Sequence, residues 1–351
     1  MTQSRKKEQL EICLTEDVSS EHNYWNDVRL IHKALPEIDF EEIDTSTIIF
    51  GKELSAPIII SGMTGGYKEA EEINKNLAQA ASEIGIGMGV GSQRQAIEDS
   101  SLESTYSVVR DYEVPLMIGN LGAPQFVSQR GKNPFTLEDA KKAMEMVDAD
   151  LLAIHLNFLQ EVVQPEGDTM ARGCLAAIKR IATYLPVIVK ETGAGISRGT
   201  ALALRTSKIR GIDVGGLGGT SWSAVETFRA RKEKDDRKER LGRTFWNWGV
   251  PTPVSLLEAN VGLPMIATGG IRNGLDVTKA MVLGASGTGI ASKLLPFAKK
   301  SSEAVVEELN LIISELKAAM FLTGSKTIAQ LGEANAVIVG ETAEWISGLE
   351  M

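Results

Sequence analysis

The sequence predicts a closed (β/α)8 TIM barrel of the α/β class, and three observations carry that prediction. Eight short apolar runs recur at intervals that fit one strand plus one helix. Nearly every run ends in small or polar residues, at the end where a parallel barrel places its reacting groups. Two glycine-rich turns, TGGIRNG (Thr268–Gly274) and GTGIAS (Gly287–Ser292), follow the last two runs, where this fold often builds a phosphate site from backbone N–H groups. A doubly wound sheet is the alternative, but it usually opens on GxGxxG after its first strand, and the turn after Ile60 reads SGMTGG.

A polar N-terminal extension of 50 residues comes first. The strand-like runs are then Ala56–Ser61, Ile86–Ser92, Val114–Asn120, Leu151–Asn157, Pro186–Thr192, Gly211–Thr220, Leu263–Gly269 and Ala285–Ser292. Helical periodicity lies between and after them, at Glu69–Ile84, Leu137–Val147, Ala171–Tyr184, Gly274–Leu283 and Ser302–Phe321. The strand ends supply Thr64, Ser92, Asn120, Asn157, Lys190, Thr192, Thr220, Gly269, Gly270, Ala291 and Ser292. Turn chemistry explains the Gly and Ser residues. It does not explain Lys190 inside PVIVKETG, a cation that must reach the mouth or be paired.

The fourth run is the most informative. Its stretch Ala149–Glu161, ADLLAIHLNFLQE, suits a strand buried on both faces and then brings His155, Asn157, Gln160 and Glu161 together at its C-terminal end. A lone buried His is usually only hydrogen-bonded, but a proton carrier, two amides and a carboxylate within seven residues read as a site. After the sixth run the rhythm breaks at Arg229–Arg243, which has eight basic and four acidic residues and no apolar periodicity until Leu241. It reads as a long, solvated basic loop, with a lid over an anionic ligand as the sharper alternative. The following FWNWGVPT (Phe245–Thr252) offers a hydrophobic wall or plain packing.

Length and composition set the outer limits. The 351 residues allow one large α/β domain or two ordinary ones, and the barrel reading takes 1–351 as one. With 43% hydrophobic and 24% charged residues, the chain reads as a soluble globular protein. No run approaches the roughly 20 apolar residues that span a bilayer, and MTQSRKKEQL has no apolar signal core. Cys13 and Cys174 have no metal-like spacing, so the expectation is a cytoplasmic protein with no membrane partner. A net charge of −9 argues against nucleic acid as a partner and makes the basic cluster Arg5, Lys6 and Lys7 informative.

Together these residues resemble the type 2 isopentenyl-diphosphate isomerases, which are FMN-dependent. The resemblance runs nearly end to end, through GMTGG (Gly62–Gly66), GSQR (Gly91–Arg94), GNLGAPQ (Gly119–Gln125), HLNFLQE (His155–Glu161), KETGAGIS (Lys190–Ser197), GGTSW (Gly218–Trp222) and TGGIRNGLD. HLNFLQE with KETG is its specific core, whereas the glycine turns are shared with other FMN barrels. One departure is Gln9, which stands where the family pattern has a His after the RK pair Arg5–Lys6.

The resemblance implies interconversion of isopentenyl and dimethylallyl diphosphate in isoprenoid biosynthesis, with reduced FMN serving acid/base chemistry and no net electron transfer. It implies FMN binding by Gly62, Met63, Thr64, Ser92, Asn120, Lys190, Thr220, Gly269, Gly270, Ala291 and Ser292. The diphosphate clamp would be Arg5, Lys6, Arg94 and His155, and Glu161 would bind Mg²⁺. Gln160 would lie beside the reacting carbons with His155 and Asn157 near it, in an orienting or relaying role, since a carboxamide is a poor acid or base. NADPH as flavin reductant and a homotetramer or octamer are implied in the same way.

Two rival FMN-type barrels lack their reacting groups. A 2-hydroxy-acid oxidase needs a His base supported by Arg late in the barrel, and the chain has only His22, His32 and His155. A nucleotide-oxidising barrel resembling IMP dehydrogenase needs a Cys after strand six, where GGLGGTSW has none. A non-catalytic flavin- or phosphate-binding module would not need the polar constellation after strand four.

Overall fold

The computed structural model describes the backbone of residues 2–349 and the side chains of residues 5–349. Eight parallel strands close into a barrel: β1 (Ile58–Ile60), β2 (Gly87–Gly89), β3 (Met117–Gly122), β4 (Leu151–Leu156), β5 (Val187–Glu191), β6 (Gly211–Asp213), β7 (Met265–Thr268) and β8 (Gly287–Ile290). Each pairs with its sequence neighbours, and β8 returns to β1. Seven fall inside the runs expected from sequence, and β3 overruns its expected end at Asn120 to reach Gly122. The sixth is much shorter than Gly211–Thr220, because Gly215 and Gly218, at φ +45° and +135°, turn the chain out of the sheet.

Side chains alternate along a strand, so one inward position fixes the next two residues on. Ile59, Ile118, Ala153, Ile188 and Ile266 fill the barrel interior in one buried cluster. Two residues further along the same strands stand Ser61, Asn120, His155, Lys190 and Thr268. The apolar layer thus gives way to a polar layer at the C-terminal mouth. The opposite end is plugged by a hairpin (Thr47–Ile49 and Lys52–Leu54), whose Ile49 and Leu54 join the interior cluster.

Outside, the expected helices form at Ala70–Ile84, Leu137–Val147, Cys174–Ala182, Gly274–Val282 and Ser302–Thr323. Their ends follow local chemistry: Thr136 caps Leu137–Val147 in a capping box with Asp139, and Gly85 at φ +78° closes Ala70–Ile84.

The expected basic loop is not a loop. Arg229–Arg243 lies within two packed helices, Trp222–Glu233 and Asp236–Thr244, capped by Ser221 and Asp235. The helices lack an apolar stripe because their inward positions carry Glu226 and Arg229, buried as an ion pair, beside small residues. Gly242 sits so close to Thr227 that an added Cβ would fall 2.2 Å from its Oγ1.

The N-terminal extension crosses the mouth. Its helix Thr2–Thr15 packs on Trp222–Glu233, with Ile12 and Val18 against Ala224 and Val225. The next segment is stitched to the turn after β6 by Ser20 N–H to Gly219 O (2.9 Å) and Ser221 N–H to Val18 O (2.8 Å). Trp25, fully buried, donates its indole N–H to Gly269 O at 2.9 Å. Residues Val28–Leu30 then pair antiparallel with Ala336–Ile338.

Candidate active site

The polar layer opens into a cavity of about 550 Å³ at the C-terminal mouth. Every residue given a site role from sequence lines it: Arg5, Lys6, Gly62, Met63, Thr64, Ser92, Arg94, Asn120, His155, Asn157, Gln160, Glu161, Lys190, Thr220, Gly269, Gly270, Ala291 and Ser292; Lys7 of the basic cluster instead pairs with Glu69 at the surface. The topology explains the convergence. These residues lie at or just after the ends of different strands, and the extension brings Arg5 and Lys6 over the top.

Strand register sets the centre. His155 on β4 pairs with Lys190 on β5, which pairs with Asp213 on β6. Lys190 Nζ lies 4.0 Å from Asp213 Oδ2 and donates to Glu191 O at 3.0 Å. Asn120 donates its amide to Val90 O (3.0 Å), which leaves its Oδ1 to accept from His155 Nδ1–H at 2.8 Å. His155 Nε2 is therefore the bare nitrogen. Burial, then the cations of Lys190, Lys6 and Arg94, push the imidazole down to about 3, so it is neutral near pH 7.

One flank has the features of an anion cradle. The N–H groups of Gly270, Ala291 and Ser292 find no protein acceptor among the described residues. Gly269 and Gly270 have φ of +117° and +76°, and a Cβ on Gly270 would fall 2.6 Å from Gly218 O. Their carbonyls are held from behind by Trp25 and Asn23, at 2.9 and 3.1 Å. A phosphate with a planar ring system reaching across to Lys190 fits this arrangement of open donors and cation, so the residues present suit FMN.

On the opposite flank stand the cations. Lys6 Nζ donates to Gly65 O (3.0 Å), Ser92 O (2.7 Å) and Tyr106 Oη (2.8 Å), so its three protons are all engaged by protein. Burial and the neighbouring Arg5 and Arg94 bring its ammonium down to about 7. Arg94 is held by Glu98 (2.9 Å) and Asp168 (2.7 Å), and Arg5 by Glu166 (3.4 Å). Arg5 Nε is buried with no partner. Such fixed guanidinium groups suit an anion that brings its own charge into the cavity.

After β4 the chain forms a short helix, Phe158–Val163, which ends where Gln164 takes extended backbone ahead of Pro165. Glu161 is buried in it, accepting from Asn157 Nδ2 (2.9 Å), from the Asp168 backbone N–H (2.7 Å) and from Gln164 Nε2. Burial holds its carboxyl above the usual range despite these donors. Asn157 Oδ1 and Gln164 Oε1 nearby are buried without a donor. A carboxylate with two unpartnered amide oxygens is a donor set for a hydrated hard cation. Among the described residues no three acidic, His or Cys side chains cluster to hold a metal, so further oxygens would have to come from a substrate.

Gln160 is tied at both ends, accepting from Asn157 Nδ2 and donating to Glu226 Oε1, both at 3.3 Å. Glu226, with no exposed surface, also accepts from Gln9 Nε2 at 2.6 Å. Sequence reading missed Glu226, Asp168, Gln164 and Tyr106. Glu226, Asp168 and Tyr106 meet Gln9, Arg94 and Lys6 across 217, 74 and 100 residues, which no local spacing marks, whereas Gln164 stands only three residues after Glu161.

Comparison with known proteins adds three findings. The family profile of FMN-dependent dehydrogenases matches residues 14–109 and 249–338. The chain is 47% identical over 346 residues to an isopentenyl-diphosphate delta-isomerase of Thermoplasma acidophilum, covering 99% of both chains. It is 49% identical to one from Methanosarcina mazei, covering 98% of this chain and 94% of that one. Among solved structures, a mandelate oxidase variant carrying an FMN adduct aligns with a TM-score of 0.62 at 17% identity, covering 94% of this chain and 92% of that one. That last likeness speaks to the barrel fold alone.

Proposed function

The chain belongs to the isopentenyl-diphosphate delta-isomerases, on the fold of the FMN-dependent dehydrogenases, and from that premise we propose how its residues carry the reaction. The enzyme interconverts isopentenyl and dimethylallyl diphosphate, a step of isoprenoid biosynthesis. One proton is added at the terminal alkene carbon and one is removed from C2, so no electrons are gained or lost. FMN, in its reduced form, supplies an electron-rich ring beside the alkene that stabilises developing positive charge and serves acid/base chemistry.

Gly62, Met63, Thr64, Ser92, Asn120, Lys190, Thr220, Gly269, Gly270, Ala291 and Ser292 hold the flavin in this reading. The open N–H groups after β7 and β8 receive its phosphate, and Lys190 meets its ring. Arg5, Arg94 and His155 bind the diphosphate. Lys6, whose three protons are already engaged, contributes charge and latches the extension to the loops of Gly65 and Ser92. Glu161 would hold Mg²⁺, whose charge would help to bind the diphosphate. The network around Gln160 supports an orienting role, because its carbonyl is spent on Asn157 and one N–H on Glu226. The FMN reductant (NADPH) and the homo-oligomer of four or eight copies rest on the family resemblance, and the cytoplasmic location rests on the usage of Cys13 and Cys174. No helix among the described residues is long and apolar enough to cross a membrane.

The single observation that carries the reading is the meeting, in one cavity, of an open anion cradle on one flank with Arg5, Arg94 and Glu161 on the other. A site that only held flavin would need the first and not the second. The oxidase alternative loses its base, since neither His22 nor His32 lines the cavity and His155, pushed down to about 3, is a weak base. Turnover of isopentenyl diphosphate in D₂O with reduced FMN and Mg²⁺ tests the proton chemistry. Deuterium should enter the new methyl group of dimethylallyl diphosphate; an oxidised organic product in its place would contradict the reading.

A further inference from the structure

The basic segment Arg229–Arg243 begins with a residue that faces inward. We propose that Arg229 is a positioning residue: it docks the N-terminal helix against the barrel and thereby sets the diphosphate clamp. The proposal rests on the isomerase reading only for the identity of the anion that the clamp receives.

Arg229 is nearly inaccessible, with 4% of its side chain exposed, and its guanidinium engages carboxylates from three separate parts of the chain. Nη1 meets Glu226 at 2.6 Å and Nη2 meets Glu233 at 3.6 Å, both on its own helix. Nε reaches Glu8 of the N-terminal helix at 3.3 Å. Nη2 also reaches Glu166, in the segment after the Gln160–Glu161 helix, at 3.1 Å. The same Glu166 oxygen accepts from Arg5 Nη1 at 3.4 Å, so Arg5 hangs from Arg229 through one shared carboxylate. Glu226 in turn receives Gln9 of the N-terminal helix and Gln160 of the site.

The helix Thr2–Thr15 needs such a mount. Its apolar contacts are few, chiefly Ile12, with Leu10, Cys13 and Leu14 only partly buried. The ion pair of Lys7 with Glu69 is exposed and contributes little. What remains is polar and at least half-buried: Lys6 on one side, and Glu8 and Gln9 on the Arg229–Glu226 pair on the other. A planar guanidinium spreads its donors over three nitrogens and so reaches carboxylates that diverge around it, whereas the donors of an ammonium all radiate from one atom.

The test uses the FMN-loaded full-length protein as Arg229→Lys, which keeps the charge that balances Glu226, and as Glu8→Gln, which removes only the tie to the helix. Three readouts are taken: hydrogen exchange of residues 5–15, affinity for inorganic diphosphate with Mg²⁺, and kcat and KM for isopentenyl diphosphate with reduced flavin. For Arg229→Lys the exchange of residues 5–15 should quicken roughly tenfold or more while the barrel strands stay protected. Diphosphate affinity should fall and KM rise by a similar factor of about ten, with kcat within about threefold. Glu8→Gln should move the same readouts in the same direction by less.

Unchanged exchange in both variants overturns the proposal, and so does faster exchange with unaltered diphosphate affinity. A fall in kcat at constant KM also overturns it, because Arg229 would then act through Glu226 on Gln160. If Arg229→Lys does not fold, Glu8→Gln decides. If the parent protein binds diphosphate but does not isomerise, the isomerase reading fails while the docking test still stands.

Discussion

At the scale of single residues the site is a set of charges whose ionisation responds to an anion. His155 sits near 3 and Lys6 near 7 because burial and neighbouring cations disfavour their charged forms. A bound diphosphate reverses that field, so both groups bind protons more tightly in the complex than in the free protein. The complex then holds more protons, and affinity must fall as pH rises. For Lys6 the window opens near its free value of about 7 and extends toward the ordinary 10.5. Calorimetry of diphosphate binding at pH 8, in buffers of different ionisation enthalpy, should show net proton uptake and a loss of up to about tenfold in affinity per pH unit per proton. Zero uptake would mean that Lys6 does not sense the anion. Gln160→Ala should leave FMN and diphosphate binding intact and lower kcat, by roughly 10²-fold if orientation is its whole role. Undiminished turnover would remove Gln160 from the mechanism. For Glu161→Gln, a Mg²⁺ titration should shift to higher concentration, and an unchanged titration would exclude it as a ligand.

At the scale of elements the barrel does the positioning, and this is where the sequence was most legible. Strands betray themselves by apolar runs of fixed length, and an inward Ile or Ala at Ile118, Ala153 and Ile188 places Asn120, His155 and Lys190 at the mouth two residues later. The glycine turns after β7 and β8 were legible for the same reason, since only their position after a strand gives them meaning. The pair of helices Trp222–Glu233 and Asp236–Thr244 was not. Hydrophobic periodicity is the signal for a packed helix, and here the buried face carries Glu226 and Arg229, whose partners Glu8, Gln9 and Glu166 are remote in sequence. Lys238 on the second of these helices donates to Val162 O and Gln164 O at 3.0 and 3.2 Å, satisfying carbonyls at the end of the helix that bears Gln160 and Glu161. Lys238→Met should therefore destabilise locally, by about 1 kcal/mol, and weaken Mg²⁺ dependence on Glu161 without disturbing flavin binding. Hydrogen exchange confined to residues 158–168 would register it, and no change there would show the contact to be incidental.

At the scale of the whole molecule the chain divides between a barrel suited to flavin and an extension that, in the proposed reading, completes the anion site. The extension is bound where the flavin cradle is built, through Trp25 and Asn23 on the carbonyls of Gly269 and Gly270, so clamp and cradle are mechanically joined. Its polar composition marked it as an extension but could not show where it lies, because that depends on contacts with residues more than 200 positions away. Deleting residues 1–15 should preserve FMN binding, since Trp25 stays, and abolish isomerisation with the loss of Arg5 and Lys6. Loss of flavin on truncation would instead assign the helix to the cradle. The most direct test of the account is an anaerobic assay of the purified protein with isopentenyl diphosphate and Mg²⁺, with FMN oxidised in one sample and chemically reduced in the other. The account predicts dimethylallyl diphosphate only in the reduced sample, with the flavin still reduced at the end. Stoichiometric bleaching of oxidised flavin by the substrate would contradict it and make the protein an oxidoreductase.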